Sequence, residues 1–171
     1  MKKILCYLLM VVMCVSFAGC GTPTETEGLF YELDDKSYVV TGYGGEDRKV
    51  YIPDTKEGIK VEKIDYEAFE NSEIEKIVLG NNITWIDLYA FKNCENLKQI
   101  NLSNKLDTIR GWAFSGCTSI KEIVIPESCW FVGYQAFAGW DSSQKIIIEG
   151  STDSFEEGWN DNCSAEIILK K

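Results

Sequence analysis

The sequence contains no histidine. That removes the side chain most often used as a general base near neutral pH and the commonest nitrogen ligand for metals. Seven cysteines are present, yet no two stand at Cys-x-x-Cys spacing, so the usual sulfur framework of a zinc site is missing as well. There is no Gly-x-Ser-x-Gly elbow and no phosphate-binding glycine loop; Gly42-Tyr43-Gly44-Gly45 has no lysine after it and reads as a turn. No catalytic residue, cofactor or metal site is therefore expected. Basic residues are also in short supply, with 17 Lys and Arg against 27 Asp and Glu and a net charge of −10. Phosphate backbones are bound by clustered cations, so a nucleic-acid partner is not expected. Proline is scarce too, three residues in 171, which excludes a proline-rich spacer.

The first twenty residues are of a different kind from the rest. Lys2 and Lys3 precede an apolar run over 4–18 that is short for a membrane span, and Phe17-Ala18-Gly19-Cys20 closes it. This arrangement resembles a bacterial signal peptide ending in a lipobox, with 1–19 removed and Cys20 lipidated as the new N-terminus. The resemblance implies a lipoprotein of the bacterial cell envelope, anchored to the membrane through Cys20 and exposed outside the cytoplasm. Each acyl chain contributes ~0.8 kcal/mol per buried CH₂, so two or three hold a protein on a membrane without a spanning segment. Cleavage leaves 15 basic against 27 acidic residues, a charge of −12. Residues 20–28 then read as a lipidated, polar tether with little to bury.

The body of the chain is a repeat. Ala68-Phe69, Ala90-Phe91, Ala113-Phe114 and Ala136-Phe137 recur at 22 or 23 residues. Between them recurs a second phrase, Ile74, Ile77, Leu79, then Leu97, Ile100, Leu102, then Ile120, Ile123, Ile125, and finally Ile146, Ile148. Self-similarity at this period marks a solenoid. Ile77 and Leu79 alternate with Lys76, Val78 and Gly80, a period of two that makes a strand with the first pair turned inward. Ile83, Ile86 and Phe91, with their equivalents one and two periods on, predict apolar ladders on a returning limb. Two residues after each Phe stand Asn71, Asn93, Gly116 and Gly139, the types that best tolerate positive φ, which predicts a left-handed corner in every coil. The expected organisation is a hairpin cap (29–33 and 38–43) and first solenoid strand over 29–63, repeats over 64–148, and a C-terminal cap over 149–171. Within that cap Phe155 and Trp159 are expected on a helical turn.

Residues 109–126, Ile-Arg-Gly-Trp-Ala-Phe-Ser-Gly-Cys-Thr-Ser-Ile-Lys-Glu-Ile-Val-Ile-Pro, resemble the BspA-type leucine-rich repeat, and the likeness extends over about 38–169. It implies a leucine-rich-repeat solenoid, a β-rich right-handed coil with a parallel sheet on one face, short corner turns and a cap at each end. It also implies a surface module for protein contact or adhesion rather than an enzyme, whose partner is an extracellular protein. A carbohydrate-recognising envelope protein, with a glycan as ligand, is the alternative, and a structural envelope component without specific ligand is a third.

Candidate binding residues are those that break the repeat and point outward. On the strand limb the column Val78, Asn101, Val124, Ile147 keeps three apolar residues turned outward, an apolar centre for a protein interface. On the returning limb Tyr89 and Trp112 share a column, Trp85 shares another with Phe131, and Tyr66, Trp130 and Tyr134 lie near. Aromatic strips of this kind anchor proteins or stack on sugars. Cys94 and Cys117 lie one rung apart, within reach of a disulfide, but ladder geometry favours two stacked thiols.

Overall fold

The computed structural model describes residues 25–170. The expected signal segment 1–19, the lipidation site Cys20 and residues 20–24 of the tether lie outside them, as does residue 171. A hairpin opens the chain, β1 (Leu29–Asp34) and β2 (Ser37–Tyr43), paired antiparallel around the Asp34–Ser37 turn. There follow β3 (Lys49–Tyr51), β4 (Thr55–Lys56), β5 (Ile59–Ile64), β6 (Lys76–Val78), β7 (Trp85–Ile86), β8 (Gln99–Asn101) and β9 (Thr108–Ile109). The chain closes with β10 (Glu122–Ile125), β11 (Phe131–Val132), β12 (Lys145–Ile148) and β13 (Glu166–Leu169).

Successive coils stack in parallel on both limbs. On the strand limb β3, β6 and β8 form one sheet and β10, β12 and β13 another, with Ile77 opposite Ile100 and Ile123 opposite Ile146. The returning limb, expected only as apolar ladders, is itself a sheet in the order β2-β5-β7-β9-β11. It pairs because Ile64, Ile86, Ile109 and Val132 form one buried column whose extended neighbours meet rung to rung. A third hydrogen-bonded face runs through the repeated Ala-Phe: the amides of Phe69, Phe91 and Phe114 donate to the carbonyls of Ala90, Ala113 and Ala136 at 2.8–2.9 Å. Successive coils are thus tied on up to three sides, and the step from β8 to β10 lacks the strand-limb pairing.

Inside, the repeated phenylalanines stack face to face. Ring centroids of Phe69, Phe91, Phe114 and Phe137 are 5.2, 5.3 and 5.7 Å apart in turn, and their planes lie within 11°. Tyr43 extends the column at one end, and Trp140 and Trp159 close it edge-on at the other. Aromatic pairs in these geometries add roughly 0.5–1.5 kcal/mol each beyond their buried area. The corner column is as the repeat predicts, with φ of 57° at Asn71 and Asn93, 76° at Gly116 and 85° at Gly139.

Two expectations change. The last residues of the expected tether are docked: Tyr51 donates its amide to Thr26 Oγ1 at 2.7 Å and Lys56 pairs with Glu25 at 3.1 Å. β3 is an outer strand, and Thr26 satisfies backbone groups that would otherwise face solvent. The helical turn expected at Phe155 and Trp159 is instead a further corner. Gly158 (φ 78°) and Asn162 (φ 57°) stand 23 residues after Gln135 and Gly139, and two left-handed residues four apart prevent helical backbone between them.

Candidate functional site: an aromatic ridge on the returning limb

After each returning strand the chain turns through a second left-handed position that residue types do not announce. Glu67, Tyr89, Trp112 and Gln135 have φ of 54°, 59°, 53° and 51°. In this sequence only Gly158, at the same place in the next coil, carries a residue suited to it. The turn brings two neighbouring columns to the surface side by side, one holding Tyr66, Leu88, Gly111 and Tyr134, the other Glu67, Tyr89, Trp112 and Gln135.

The aromatics of those columns interleave into one ridge. Tyr66 meets Tyr89 edge-on at 5.8 Å, Tyr89 stacks on Trp112 at 5.5 Å, and Trp112 meets Tyr134 edge-on at 5.2 Å. Gly111 permits the crossing, since a Cβ there would stand 2.9 Å from the Tyr134 carbonyl. Polar neighbours fix the rings. Trp112 Nε1 donates to Gln135 Oε1 at 3.0 Å, and Gln135 Nε2 donates to the Tyr134 hydroxyl at 3.0 Å. Lys92 lies over the Tyr89 ring at 4.7 Å while paired with Glu70 at 2.9 Å, a carboxylate that pushes the ammonium above its ordinary pKa. Tyr66, at the end of the ridge, is half exposed; Tyr89, Trp112 and Tyr134 are partly covered by one another.

Beside the ridge lies a second group. Trp130 is 57% exposed and its ring is 5.8 Å from that of Phe131, tilted by 59°. Trp85 and Phe131 share a column as expected, but Thr108 separates them and the Arg110 guanidinium lies 5.6 Å over the Trp85 ring. Thr108 is buried, and its hydroxyl has no protein partner. A cleft of about 470 Å³ next to Trp85 is lined by Glu32, Asp34, Asp65 and Asp87 with one cation, Lys63, held by Asp34 at 2.8 Å. The returning limb therefore presents aromatic surface edged with carboxylates.

The structure brings together Trp85, Tyr89, Trp112, Trp130, Phe131 and Tyr134 on one limb. It does not join them to Val78, Asn101 and Val124, which lie on the strand limb, nor are those three one continuous column. Val78 and Asn101 pair within β6 and β8, but no backbone bond links β8 to the strand that carries Val124. Val78, Val124 and Ile147 are each partly buried, and Val124 pairs with Ile147 across β10 and β12. Arg110, Lys92 and Gln135, which hold the rings, carry no sequence signal of that role. The segment Ser142-Ser143-Gln144-Lys145 has the Ser-x-x-Lys spacing of some nucleophiles. It leads into a strand rather than a helix, Gln144 is fully buried, and Lys145 pairs with Glu166 at 3.2 Å.

Comparison with known proteins places this geometry. The BspA type leucine rich repeat region matches in six copies over residues 49–167. No curated protein matches the sequence. Among solved structures, a leucine-rich repeat protein of T. pallidum superposes with a TM-score of 0.66 at 26% identity, covering 75% of this chain and 65% of that one. A leucine-rich repeat protein of Bacteroides capillosus gives 0.59 at 20% identity, over 86% of this chain and 98% of that one. The pneumococcal vaccine antigen PcpA gives 0.62 at 20% identity, covering 82% of this chain but 37% of the antigen.

Proposed function

The chain belongs to the BspA-type leucine-rich repeat family, and from that premise we propose that it is a cell-surface module that binds a partner protein through the aromatic ridge, anchored to the envelope by lipid at Cys20. The observation that carries the binding role is the ridge itself: Tyr66, Tyr89, Trp112 and Tyr134 in unbroken contact along the surface, with Trp130 exposed beside them. Tyr and Trp are the residues most enriched at the centre of protein interfaces, because they bury large area with few rotors and keep one polar atom for a partner. Adjacent rings alternate between edge-on and stacked, so the surface is ribbed rather than flat. A ribbed surface suits interdigitating side chains more than the planar face of a sugar. The carboxylates around Trp85 favour a partner that presents cations there.

The anchor is supported by the sequence of the first twenty residues, and among the described residues no helix is long and apolar enough to cross a membrane. Two measurements test the reading. Cys20→Ser shifts the protein from the membrane fraction to the soluble fraction and abolishes labelling by a fatty-acid probe; retention in the membrane fraction ends the anchor claim. The partner captured on immobilised full chain is lost with Trp112→Ala and Trp130→Ala and kept with Val78→Ala; capture indifferent to the ridge variants ends the binding claim.

The glycan reading rests on Trp130, whose indole is 57% exposed and offers a flat face to a sugar. A glycan array on which Trp130→Ala changes nothing removes it.

A further inference from the structure

The two ends of the strand limb are finished differently. At the first, the backbone of Tyr51 in β3 is occupied: its amide donates to Thr26 Oγ1 at 2.7 Å and its carbonyl accepts from the Thr26 amide at 3.2 Å. At the last, β13 pairs on one side only, with β12, and among the described residues no backbone hydrogen bond reaches its other edge. The core registers the difference. Ile146 and Ile148 are fully buried, whereas Ile167 and Leu169, directly opposite them in the sheet, are 38% and 59% exposed. An unpaired strand edge beside exposed apolar side chains is a template for a further strand.

Pairing with β12 fixes which groups that edge offers. Glu166 donates its amide to the carbonyl of Gln144 at 2.9 Å and Lys170 donates to that of Ile148 at 2.8 Å, so Glu166, Ile168 and Lys170 turn their backbone groups toward β12. Pleat alternation then turns the N–H and C=O of Ile167 and Leu169 toward the free edge. In an antiparallel pair, residues that exchange both backbone bonds stand directly opposite each other. A second copy of β13, run antiparallel with Ile168 opposite Ile168, sets Ile167 opposite Leu169 and meets this condition. The same register sets Glu166 opposite Lys170 on either side of the centre, a favourable charge pair. The strand Glu-Ile-Ile-Leu-Lys is therefore complementary to itself in backbone, apolar side chains and charge. β1, which ends the other sheet, is not: its charged residues Glu32 and Asp34 are both acidic, and a bulge between Phe30 and Tyr31 breaks its register.

We propose that the free edge of β13 is the interface through which two copies of this chain pair, antiparallel about a two-fold axis at Ile168. A contact of this self-complementary kind closes at two copies. Main-chain pairing joins the two β10-β12-β13 sheets into one, as in other strand-addition interfaces. Ile167 and Leu169 of each copy cover those of the other, so the exposed end of each core is closed. On the outer face Val124, Ile147 and Ile168 form an apolar row across β10, β12 and β13, and the axis doubles that row. Charges continue in step: Lys145 pairs with Glu166 at 3.2 Å and Glu149 with Lys170 at 3.0 Å, so lysine and glutamate alternate in sign across the joint. The net charge of −10 on each copy opposes association, and salt at about 0.15 M screens that repulsion beyond a Debye length of about 8 Å. The interface does not use the aromatic ridge.

The test follows the full chain, carrying Cys20→Ser so that lipid does not itself drive association, by sedimentation velocity from low to high micromolar concentration at about 0.15 M salt. Monomer and dimer in equilibrium are expected. Ile168→Lys places two ammonium groups opposite each other at the axis and weakens the dimer by about tenfold or more. Ile168→Glu does the same, and an equimolar mixture of the two variants restores a dimer. Ile168 lies on the outer face of the sheet, so thermal unfolding at low concentration shows each variant folded like its parent. Amide exchange reads the edge directly: Ile167 and Leu169 are protected in the dimer and exchange in the Ile168→Lys variant, while Ile168, bonded to β12, is protected in both. Trp112→Ala leaves the dimer intact. The proposal is overturned by a chain that stays monomeric across the range, by a dimer indifferent to Ile168→Lys or lost with Trp112→Ala, or by a Lys and Glu variant mixture that stays monomeric.

Discussion

The indole of Trp140 donates to the carbonyl of Phe114 at 2.9 Å, the same bond that the Cys117 thiol makes to Phe91 and the Cys94 thiol makes to Phe69 one and two rungs earlier. Three residues of one column thus satisfy three carbonyls of another, with two thiols and one ring nitrogen as donors. This explains how Trp replaces the usual Cys of the repeat without loss. Cys94 and Cys117 are free, and each thiol donates to a carbonyl of the preceding coil.

Trp140→Phe keeps most of the buried ring and removes only the donor. The Phe114 carbonyl still accepts from the Cys117 amide at 3.2 Å, so the loss is that of one hydrogen bond, about 0.5–1.5 kcal/mol. Trp140→Cys restores a donor but opens a cavity and is expected to cost more, roughly 3–5 kcal/mol. Chemical denaturation measures both, and a Phe variant as stable as wild type would show the bond to be incidental.

Gly116 and Gly58 have similar φ, 76° and 80°, but different surroundings. A Cβ on Gly116 would stand 2.6 Å from Asn93 Oδ1, whereas one on Gly58 meets nothing within 4 Å. Gly58→Val should lose only the left-handed strain, about 1–2 kcal/mol. Gly116→Val also crowds the Asn71–Asn93 side-chain bond of 3.1 Å and should lose about 1–3 kcal/mol more. Equal losses in a denaturant titration would mean that the corner tolerates a side chain.

Glu75 joins three coils, with Oε1 3.1 Å from Arg48 and Oε2 2.9 Å from Lys98. The Lys98 ammonium, then the Arg48 guanidinium, hold its carboxyl below the ordinary value of 4.5. Because the folded pKa is the lower one, this pairing stabilises the protein above the ordinary value and is lost as pH falls through the folded value. Glu75→Gln should therefore lower the melting temperature at neutral pH, by an amount that fades in acid and shrinks in high salt. A deficit that persists unchanged to about pH 2 would assign the loss to something other than charge.

Burial pushes the Cys129 thiol up to about 12 and that of Cys117 well above its usual range, and thiolate is the reactive form. Cys163, half-buried, is raised less. In native protein at about pH 8, mapping of alkylated peptides should find Cys163 modified first and Cys94, Cys117 and Cys129 only on unfolding. In denaturant without reductant all four should react. Resistance of Cys94 and Cys117 until a reductant is added would reveal a bridge.

Much of this molecule was legible before its coordinates. Residues that recur, such as the Phe column and the Asn71, Asn93, Gly116, Gly139 corners, state their environment four times over, and each instance corrects for noise in the others. The outward aromatics were legible as exceptions to the repeat. The left-handed turn at Tyr89 and Trp112 was not, because Glu, Tyr, Trp and Gln are types that seldom occupy it, and the stacked coils impose it. Nor was the helix-free end legible, since Phe155 and Trp159 at helical spacing look alike on a helix and on a corner.

The sequence by itself determined the coil, its rungs and its core, because a period of 22 or 23 with alternating apolar positions leaves one way to bury them. Tertiary structure alone decided how neighbouring rungs differ. Whether Tyr66 and Tyr134 interleave with Tyr89 and Trp112 depends on the room that Gly111 leaves. Whether β8 and β10 pair as β6 and β8 do is likewise decided only between coils. Both are relations between residues 20 or more positions apart, and the chain records them only once it has folded.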